Sequence, residues 1–425
     1  MLNIEEIRTN PEKVKELLKY RADVSLLESL LLKDRERKTL TREKDDIRKQ
    51  RNIFSRDIAR LKKDKMDDQA EIMIEQVNSL KNLLNSVEEK LSVIEAEYNE
   101  ILLSLPNIPH ESVPQSDNEN DKIVVSSYKS KPEFGFKPMD HLEISGIHSL
   151  FDFHRASRIA KSFFPMYCGN GALLERALLN YMLDKQTEKG YTEIMPPHLA
   201  NSDTLFTSGQ LPKFEDDLFK CDRDNLYLIP TSEVPLVSLH RDEVLDERDL
   251  PIRYCAYTPC YRREAGSWGK DNKGLIRIHQ FNKIELVVFS VPDHSFDIME
   301  ELLRDAEDIL KDLDLHYRTT LLVSCDIAHQ SAKTYDIEVY IPSLDIYKEV
   351  SSCSNCTDFQ ARRGNIKYRP DDNSKPRYLH TLNSSGLATT RLMVALLEQN
   401  QLKDGSIRIP EVLWDYTRGL KILKA

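Results

Sequence analysis

Apolar residues between positions 77 and 101 recur at alternating spacings of three and four, which is the a/d pattern of a coiled coil. The preceding segment repeats apolar residues every seven positions, and neither Pro nor Gly interrupts the chain between residues 13 and 105. We predict an antiparallel arm of two long helices, over residues 33–66 and 67–101, with a turn at Lys62–Gln69. The a/d positions are Val77, Leu80, Leu84, Val87, Leu91, Ile94, Tyr98 and Ile101.

The two predicted helices carry opposite net charge. The first has 14 Lys and Arg against 7 Asp and Glu, and the second has 2 against 9. One interpretation is that these charges pair with each other and with water; the other is that surplus basic residues bind a phosphate backbone. The net charge of −10 for the whole chain argues against a general nucleic-acid-binding protein, but it leaves this local surface open.

A different pattern begins after the arm. Residues 106–121 contain three prolines and many polar residues, which is typical of a linker between a domain at 1–105 and one at 122–425. The second domain mixes strand and helix patterns without regular βαβ units, so we expect an α+β fold with a largely antiparallel sheet surrounded by helices. The helix patterns cover 171–188, 294–313 and 386–400, and the strand patterns cover 226–230, 252–263, 275–289 and 337–352.

Three features of the sequence bear on where the protein works. No run of 18 apolar residues is present, so we expect no membrane span. The N-terminus lacks the pattern of a secretory signal. Seven cysteines in a long chain without such a signal indicate reduced thiols and a cytoplasmic location.

The segment 275–289 alternates as a strand does, so its residues fall on two faces. One interpretation is a hairpin with a solvated charged face. The other is the floor of a binding site, with Phe281 as a stacking platform and nearby arginines as anion ligands. The glycine-rich residues 264–274 before it are predicted to be a loop. The mostly apolar face carries Ile276, Ile278, Ile284, Leu286 and Val288, and the other carries Arg277, His279, Phe281, Lys283 and Glu285.

Candidate ligands for a cation follow a later strand pattern. Glu349 and Ser352 offer a carboxylate and a hydroxyl, which suit Mg²⁺, although an ordinary edge-strand Glu is the alternative. Cys353 and Cys356 form a lone C-x-x-C without a second pair of ligands. We therefore expect two packed thiols and no structural zinc.

Two further segments place polar groups among apolar ones. "LIPTSEVPL" sets Thr231, Ser232 and Glu233 between apolar residues, as either a pocket lining or a solvent-facing turn. "LNSSGLATTRLMVALLEQNQ" is predicted to be a strand end, a turn at Gly386 and a helix. Arg391 in that apolar helix needs an anionic or aromatic partner: an ion pair, a phosphate or a purine.

Three of these segments resemble the motifs of class II aminoacyl-tRNA synthetases. "GALLERALLNYMLDKQTEKGYTEIMPPHL" resembles motif 1, "YRREAG" with "LIRIHQFNKIE" resembles motif 2, and "SSGLATTRLMVALLEQ" resembles motif 3. Within that class, the arm and the segments "LPNIPHESVP", "PTSE" and "EVSSCSNCTDFQARR" resemble the bacterial-type seryl-tRNA synthetases. The resemblance covers essentially the whole chain, with the motifs in the right order. One departure is Ser384, where the family usually has Gly.

The resemblance implies an ATP-dependent ligase. Such an enzyme activates L-serine to seryl-adenylate, releases pyrophosphate, and transfers the seryl group to serine tRNA and to selenocysteine tRNA. The resemblance also implies a homodimer, tRNA binding by the helices 33–66 and 67–101, and Mg²⁺ as cofactor. The alternatives are a related enzyme that loads a carrier protein, whose relatives lack the arm, and a coiled-coil interaction protein with an inactive body, which would have broken motifs.

Site residues carry over from the family by position. Arg262 should bridge the serine carboxylate and the α-phosphate, Phe281 should stack on adenine, and Arg391 should cover the other face of the base or reach the terminal phosphate. The implied catalytic residues are Arg262, Glu264 and Arg391. The implied serine ligands are Thr231, Ser232, Glu233, Glu285, Asn383 and Ser385. The implied ATP ligands are Arg262, Arg263, Glu264, Ile278, Phe281, Glu349, Val350, Ser351, Ser352 and Arg391, with Glu349 and Ser352 also holding the metal.

Overall fold

The computed structural model describes residues 1–265, 273–371 and 373–425. The chain forms two compact units, residues 2–106 and residues 107–425 together with Met1. Residues 266–272 of the predicted loop lie outside the described residues. Within the described part of the chain, no helix is both long enough and apolar enough to cross a membrane.

The first unit is built on two long helices that run antiparallel. Ion pairs of 2.7 Å join Lys33 to Glu97 and Arg48 to Glu88, so positions rise along one helix as they fall along the other. The predicted arm is therefore confirmed, with a turn shorter than the predicted Lys62–Gln69. Ile47 lies in its buried seam with Leu84 and Val87. The helices are α1 (Ile4–Thr9), α2 (Pro11–Leu18), α3 (Ser25–Lys63) and α4 (Asp67–Ser104).

The second unit contains an eight-stranded sheet and smaller sheets, with helices packed around them. Its α-helices are α5 (His141–His148), α6 (Phe153–Ile159), α7 (Gly169–Glu188), α8 (Ser202–Ser208), α9 (Glu233–Val237), α10 (Ser295–Asp312), α11 (Phe359–Arg363) and α12 (Thr389–Gln399). Its strands are β1 (Ile123–Tyr128), β2 (Thr192–Glu193), β3 (Leu199–Asn201), β4 (Lys220–Cys221), β5 (Leu226–Leu228), β6 (Val244–Asp246), β7 (Ile252–Tyr261), β8 (Gln280–Ser290), β9 (Tyr317–Leu321), β10 (Lys333–Ile341), β11 (Ile346–Asn355), β12 (Lys367–Arg369), β13 (Arg377–Tyr378), β14 (His380–Ala388), β15 (Ile407–Arg408) and β16 (Ile422–Leu423).

The strands of the large sheet follow the order β1-β9-β10-β11-β14-β8-β7-β2. Neighbours are antiparallel except β2 and β7, which are parallel. The expected α+β class with a largely antiparallel sheet is confirmed. The segment predicted as a linker contacts this unit, since the buried amide of Asn107 donates to the carbonyls of Gln330 and Cys356.

Both faces of β8 are covered in its later part, residues 284–289. Ile284, Leu286 and Val288 pack in one core cluster with residues of α7, α10 and α12. On the other face, Val287 and Phe289 pack with residues of α9 and α11. Lys283 and Glu285 on the charged face are buried as well, so a hairpin with a solvated charged face is excluded for residues 283–289.

Two predicted strands differ clearly from those of the structure. The strand expected from residue 275 begins at Gln280, because the amide of Leu275 is bound to Nε2 of His141 instead of a neighbouring strand. The single strand expected over 337–352 is the hairpin of β10 and β11, whose turn contains Pro and Asp.

The turn expected at Gly386 is wrong, since Gly386 lies within β14. The pairing with β8 shifts register between Ser385 and Ala388, so the strand is irregular at this point. A Cβ at Gly386 would lie 3.0 Å from Cγ2 of Ile284, so the strand needs a small residue for close approach.

Candidate active site

Two adjoining cavities open beside the middle strands of the large sheet. The larger has a volume of about 390 Å³ and the smaller about 100 Å³. They share six lining residues, so they form one continuous cleft: Arg262, Glu264, Arg277, Lys283, Glu349 and Ser385.

Most of the residues predicted for the site line this cleft. The larger cavity is lined by Thr231, Glu233, Arg262, Glu264, Glu349, Ser352, Asn383 and Ser385. The smaller cavity is lined by Arg262, Glu264, Ile278, Phe281, Glu349, Val350, Ser385 and Arg391. Strands β8, β11 and β14 each supply residues to both cavities.

Four predicted residues lie outside both linings. Ser232 is fully buried and its hydroxyl contacts that of Thr258 at 2.6 Å. Arg263 is exposed, and its backbone N–H donates to the carbonyl of Asp217. The remaining two, Ser351 and Glu285, are buried and contact residues of the lining: the Ser351 hydroxyl donates to the carbonyl of Ser385, and Glu285 binds three lining side chains.

The floor of the larger cavity is a buried polar cluster on β8. Lys283 forms an ion pair with Glu285, and its ammonium donates to the Thr231 hydroxyl at 2.7 Å. That hydroxyl donates in turn to Glu285 Oε2 at 3.3 Å, and the Asn383 amide donates to Oε1 at 3.4 Å. Lys283 is 5% exposed and Glu285 is 0% exposed, so both charges depend on these partners.

A second carboxylate, Glu233, lines the same cavity from the start of α9. Burial, followed by the negative charge of Glu285, raises the pKa of Glu233 to about 7. Lys283 acts in the opposite direction, as do hydrogen bonds from Gln360 and Gln330. The cavity therefore holds one carboxylate neutralised by lysine and one that can gain or lose a proton near neutral pH.

The smaller cavity combines an aromatic ring with two arginines. The guanidinium of Arg262 lies 5.2 Å from the ring centroid of Phe281. Arg391 donates to the backbone carbonyl of Glu349 at 2.8 Å and contacts its carboxylate at 3.4 Å. Such a site suits a ligand with a flat ring and negative charge.

The backbone after β7 brings more charged side chains to the cleft. The backbone N–H of Arg262 donates to the carbonyl of His279 at 2.9 Å. Glu264 has a φ of 55°, a left-handed conformation uncommon outside glycine, and it forms an ion pair with Arg277. Arg277 lines both cavities but was predicted only as part of the charged strand face.

A bulge in β11 places Glu349 and Ser352 on one face. In a regular strand, residues three apart point to opposite faces. Here Glu349 pairs with Glu338 and Ser352 with Asp336, so Val350 is an extra residue in the register. Both side chains consequently line the larger cavity.

Asp336 supplies an additional carboxylate beside these two residues. It is hydrogen-bonded to Ser352, and its buried Oδ1 has no hydrogen-bond partner among the described residues. Burial, followed by the charge of Glu349, raises the pKa of Asp336 well above its usual range. This combination of a crowded negative charge and an unsatisfied oxygen suits a cation at this end of the cavity.

Sequence reasoning missed several side chains that line the cleft or contact its lining. Lys283 was noted only as part of a strand face, although its position two residues from Glu285 was a usable signal. Gln330, Asp336 and Gln360 carry no local signal, because they reach the site only through tertiary packing. Cys353 and Cys356 are buried free thiols.

Family models match both units of the chain. Residues 1–109 match the model described as "Seryl-tRNA synthetase N-terminal domain". Residues 214–400 match "tRNA synthetase class II core domain (G, H, P, S and T)".

Individual relatives match the whole length. The chain is 49% identical over 425 residues to a serine–tRNA ligase of Thermodesulfovibrio yellowstonii, covering 100% of both chains. A solved seryl-tRNA synthetase from Pyrococcus horikoshii, complexed with ATP, is 36% identical with a TM-score of 0.90, and the match covers 100% of this chain and 99% of that one. A cytoplasmic serine–tRNA ligase from Naegleria fowleri, in complex with AMP, is 28% identical with a TM-score of 0.88 and the same coverage.

Proposed function

The chain belongs to the seryl-tRNA synthetase family, and we propose that the two adjoining cavities are the serine and ATP halves of its active site. The protein is a serine–tRNA ligase: it activates L-serine with ATP and transfers the seryl group to serine tRNA. The observation that carries the assignment of the cavities is the order of side chains along β8. Phe281 lines the smaller cavity, Lys283 lines both, and Glu285 lies under the larger one.

The larger cavity suits serine because its ligands are polar and buried. We assign the carboxylates of Glu285 and Glu233 to the ammonium and hydroxyl groups of serine, with Thr231, Asn383 and Ser385 beside them. A site built to hydrogen-bond a hydroxyl rejects alanine, because the buried polar groups would be left unpaired. Threonine adds one methyl group, and excluding it through lack of room is worth only about 1–3 kcal/mol.

The smaller cavity suits the nucleotide. Phe281 offers a face for the adenine, and Arg391 offers a planar cation for its other face or for a phosphate. Arg262 lines both cavities, where it can bind the serine carboxylate and the α-phosphate together. Arg262 would have to leave the Phe281 ring when adenine stacks there, since the two now face each other.

The first reaction step needs positioning and charge neutralisation rather than a protein nucleophile. The serine carboxylate oxygen forms a bond to the α-phosphorus, and the bond from that phosphorus to the leaving pyrophosphate breaks. In the second step the terminal ribose hydroxyl of tRNA takes the seryl group and AMP leaves. We assign Arg262, which lines both cavities, to neutralising charge on the α-phosphate.

We assign a Mg²⁺ site to Glu349 and Ser352. The unsatisfied Oδ1 of Asp336 next to them supports a cation, because a bound ion would relieve the repulsion between Asp336 and Glu349. When bound, Mg²⁺ supplies charge neutralisation on the phosphates. The chain itself orients the ligands through the bulge at Val350 and the contacts of Arg391 with Glu349.

The arm is assigned to tRNA, and residues 122–425 of the second unit are assigned to adenylate formation. Surplus Lys and Arg on α3 suit a phosphate backbone, which includes that of serine tRNA and also of selenocysteine tRNA. We further propose a cytoplasmic homodimer through the motif 1 segment. The exposed apolar side chains of Met195 and Leu199, after α7 and β2, support such an interface.

Pyrophosphate exchange with a panel of amino acids tests the proposed assignment. We expect exchange that requires Mg²⁺ and serine, with alanine and threonine far less active. Charging of serine tRNA should follow in the same preparation, and sedimentation should show a dimer. Exchange that depends on another amino acid, with serine inactive, would contradict the assignment of the larger cavity.

A further inference from the structure

A buried glutamine lies behind Glu233, on the side of α11. Gln360 is 0% exposed, and its Nε2 donates to Glu233 Oε1 at 2.7 Å and to the Ser208 carbonyl at 2.8 Å. Its Oε1 accepts from the Thr381 hydroxyl at 2.6 Å. A backbone carbonyl can only accept, so the amide orientation is fixed and Gln360 can only donate to Glu233.

The contacts of Glu233 are distributed unequally between its two oxygens. Oε1 accepts from Gln360 and, at 3.4 Å, from Gln330. Across the residues that the structure describes, no hydrogen bond reaches Oε2, although Glu233 lines the larger cavity. Oε2 is thus the oxygen available to a ligand there.

The hydrogen-bond donors to Glu233 affect whether its side chain is charged or neutral. The charged groups that face it are Glu285 and Lys283, both on β8. Because burial and the charge of Glu285 raise the pKa of Glu233 to about 7, this carboxyl can gain or lose a proton near neutral pH. A donor held against Oε1 favours the carboxylate over the acid, and a carboxylate is the better acceptor for the ammonium or hydroxyl of serine.

We propose that Gln360 is a positioning residue for serine recognition, which holds Glu233 by Oε1 and presents Oε2 to the amino acid. The proposal rests on the assignment of the larger cavity to serine. Gln360 touches neither substrate in this arrangement and acts only through Glu233. Its removal should therefore affect serine and spare ATP.

Gln360→Met tests this role, because methionine matches the length of glutamine and removes the amide. In pyrophosphate exchange, we expect the KM for serine to rise about 10- to 100-fold, as for loss of a hydrogen bond to a charged group. The KM for ATP should change less than about twofold. The acid limb of kcat/KM for serine should move to higher pH, since Glu233 would hold its proton more strongly.

Gln186→Met is the matched control. Gln186 is also 0% exposed and donates to a backbone carbonyl, that of Asp305, at 3.1 Å, but it lies in α7 outside the lining of the cleft. Both variants lose a buried amide, so a general loss of stability should appear in both. Only Gln360→Met should change the serine KM and the pH profile.

Gln360→Glu provides an independent readout if the methionine variant does not fold. Above neutral pH two carboxylates would face each other, and the serine KM should be strongly raised. At lower pH, a shared proton lets Glu at this position donate to Glu233, so the serine KM should fall on acidification, opposite to the wild type.

Two results would overturn the proposal. One is an unchanged serine KM in Gln360→Met, whether or not its melting temperature falls. The other is an equal rise of the serine and ATP KM values. Failure of the serine assignment itself would look different, because the wild-type protein would then lack serine-dependent exchange.

Discussion

Lys283 and Glu285 place two opposite charges inside the protein at the boundary of the two cavities. Burying such a pair is tolerable only while each charge has its partner, because a lone buried charge loses its hydration without compensation. The same pair lies where serine is proposed to bind. Stability and substrate recognition therefore depend on the same atoms.

Lys283→Met should destabilise the protein by about 3–5 kcal/mol, because Glu285 would remain buried and unpaired. Adding Glu285→Gln should restore most of that loss, since no uncompensated charge remains. Serine activation should stay low in the double variant, which lacks the charge that meets the substrate. Urea unfolding and pyrophosphate exchange measure the two effects; a double variant no more stable than Lys283→Met would contradict the pairing argument.

Phe281→Ala should weaken ATP much more than serine. Loss of one base–aromatic stack costs about 1–3 kcal/mol, by analogy with bases stacked on proteins. Calorimetric titration of each ligand separates the two effects, and Phe281→Leu is a control that keeps apolar bulk without a ring. Equal weakening of both ligands would remove Phe281 from the adenine site.

At the scale of elements, helices and their faces were easier to predict than the irregular points of strands. The a/d pattern of α3 and α4 is local, so their existence and antiparallel packing followed from the sequence, although α3 begins at Ser25 rather than at residue 33. The bulge at Val350 and the irregular end of β14 depend on partner strands far along the chain. For the same reason the sequence indicated Glu349 and Ser352 as a pair but not the bulge that aligns them, nor Gln360 behind Glu233.

Asp34 offers a test of how α1 is held against α3. Arg8 donates to both oxygens of Asp34, at 2.7 and 2.6 Å. Burial tends to raise the pKa of Asp34, but hydrogen bonds from Arg8 and Arg37 outweigh burial and hold it below 3.8. The pKa of Asp34 is therefore lower in the folded protein than in the unfolded chain. Its charge stabilises the fold at pH values above the unfolded-state pKa, and this stabilisation is lost as the pH falls through the folded-state pKa.

Asp34→Asn should therefore cost about 1–3 kcal/mol at neutral pH, as for a hydrogen bond to a charged group. The difference from wild type should vanish well below pH 3.8, where Asp34 is protonated as well. Hydrogen exchange of the α1 amides at both pH values measures it, with the exposed Asp46→Asn as control. A difference that persists unchanged in acid would mean that the charge of Asp34 is not what holds α1.

At the scale of the whole molecule, the basic surface and the candidate active site belong to different units. The basic surplus of the chain is concentrated in α3, while the residues of the cleft all come from the second unit. Phosphate contacts on nucleic acid are sequence-independent and weaken with salt. We expect adenylate formation to have no such requirement for the arm.

Replacing residues 33–100 with a short linker should spare ATP–pyrophosphate exchange and reduce the transfer of serine to tRNA by orders of magnitude. The affinity of the intact protein for tRNA should also fall steeply with salt, because each neutralised phosphate releases counterions. Filter binding over a salt series and charging assays measure both effects. Full charging by the armless protein would show that the charges of α3 only pair with α4 and water.

Phe281 and Glu285 lie on one strand, so the distance between them sets the length of any ligand that contacts both side chains. They lie four residues apart, which corresponds to about 13 Å at 3.3 Å per residue. Because β8 pairs with β7 along this whole stretch and with β14 from Lys283 onward, this separation cannot adapt as a loop would. Under the proposed assignment, an inhibitor that joins an amine to a purine must therefore match this one length. Under the same assignment, a substitution at Glu285 should leave the position of the purine at Phe281 unchanged.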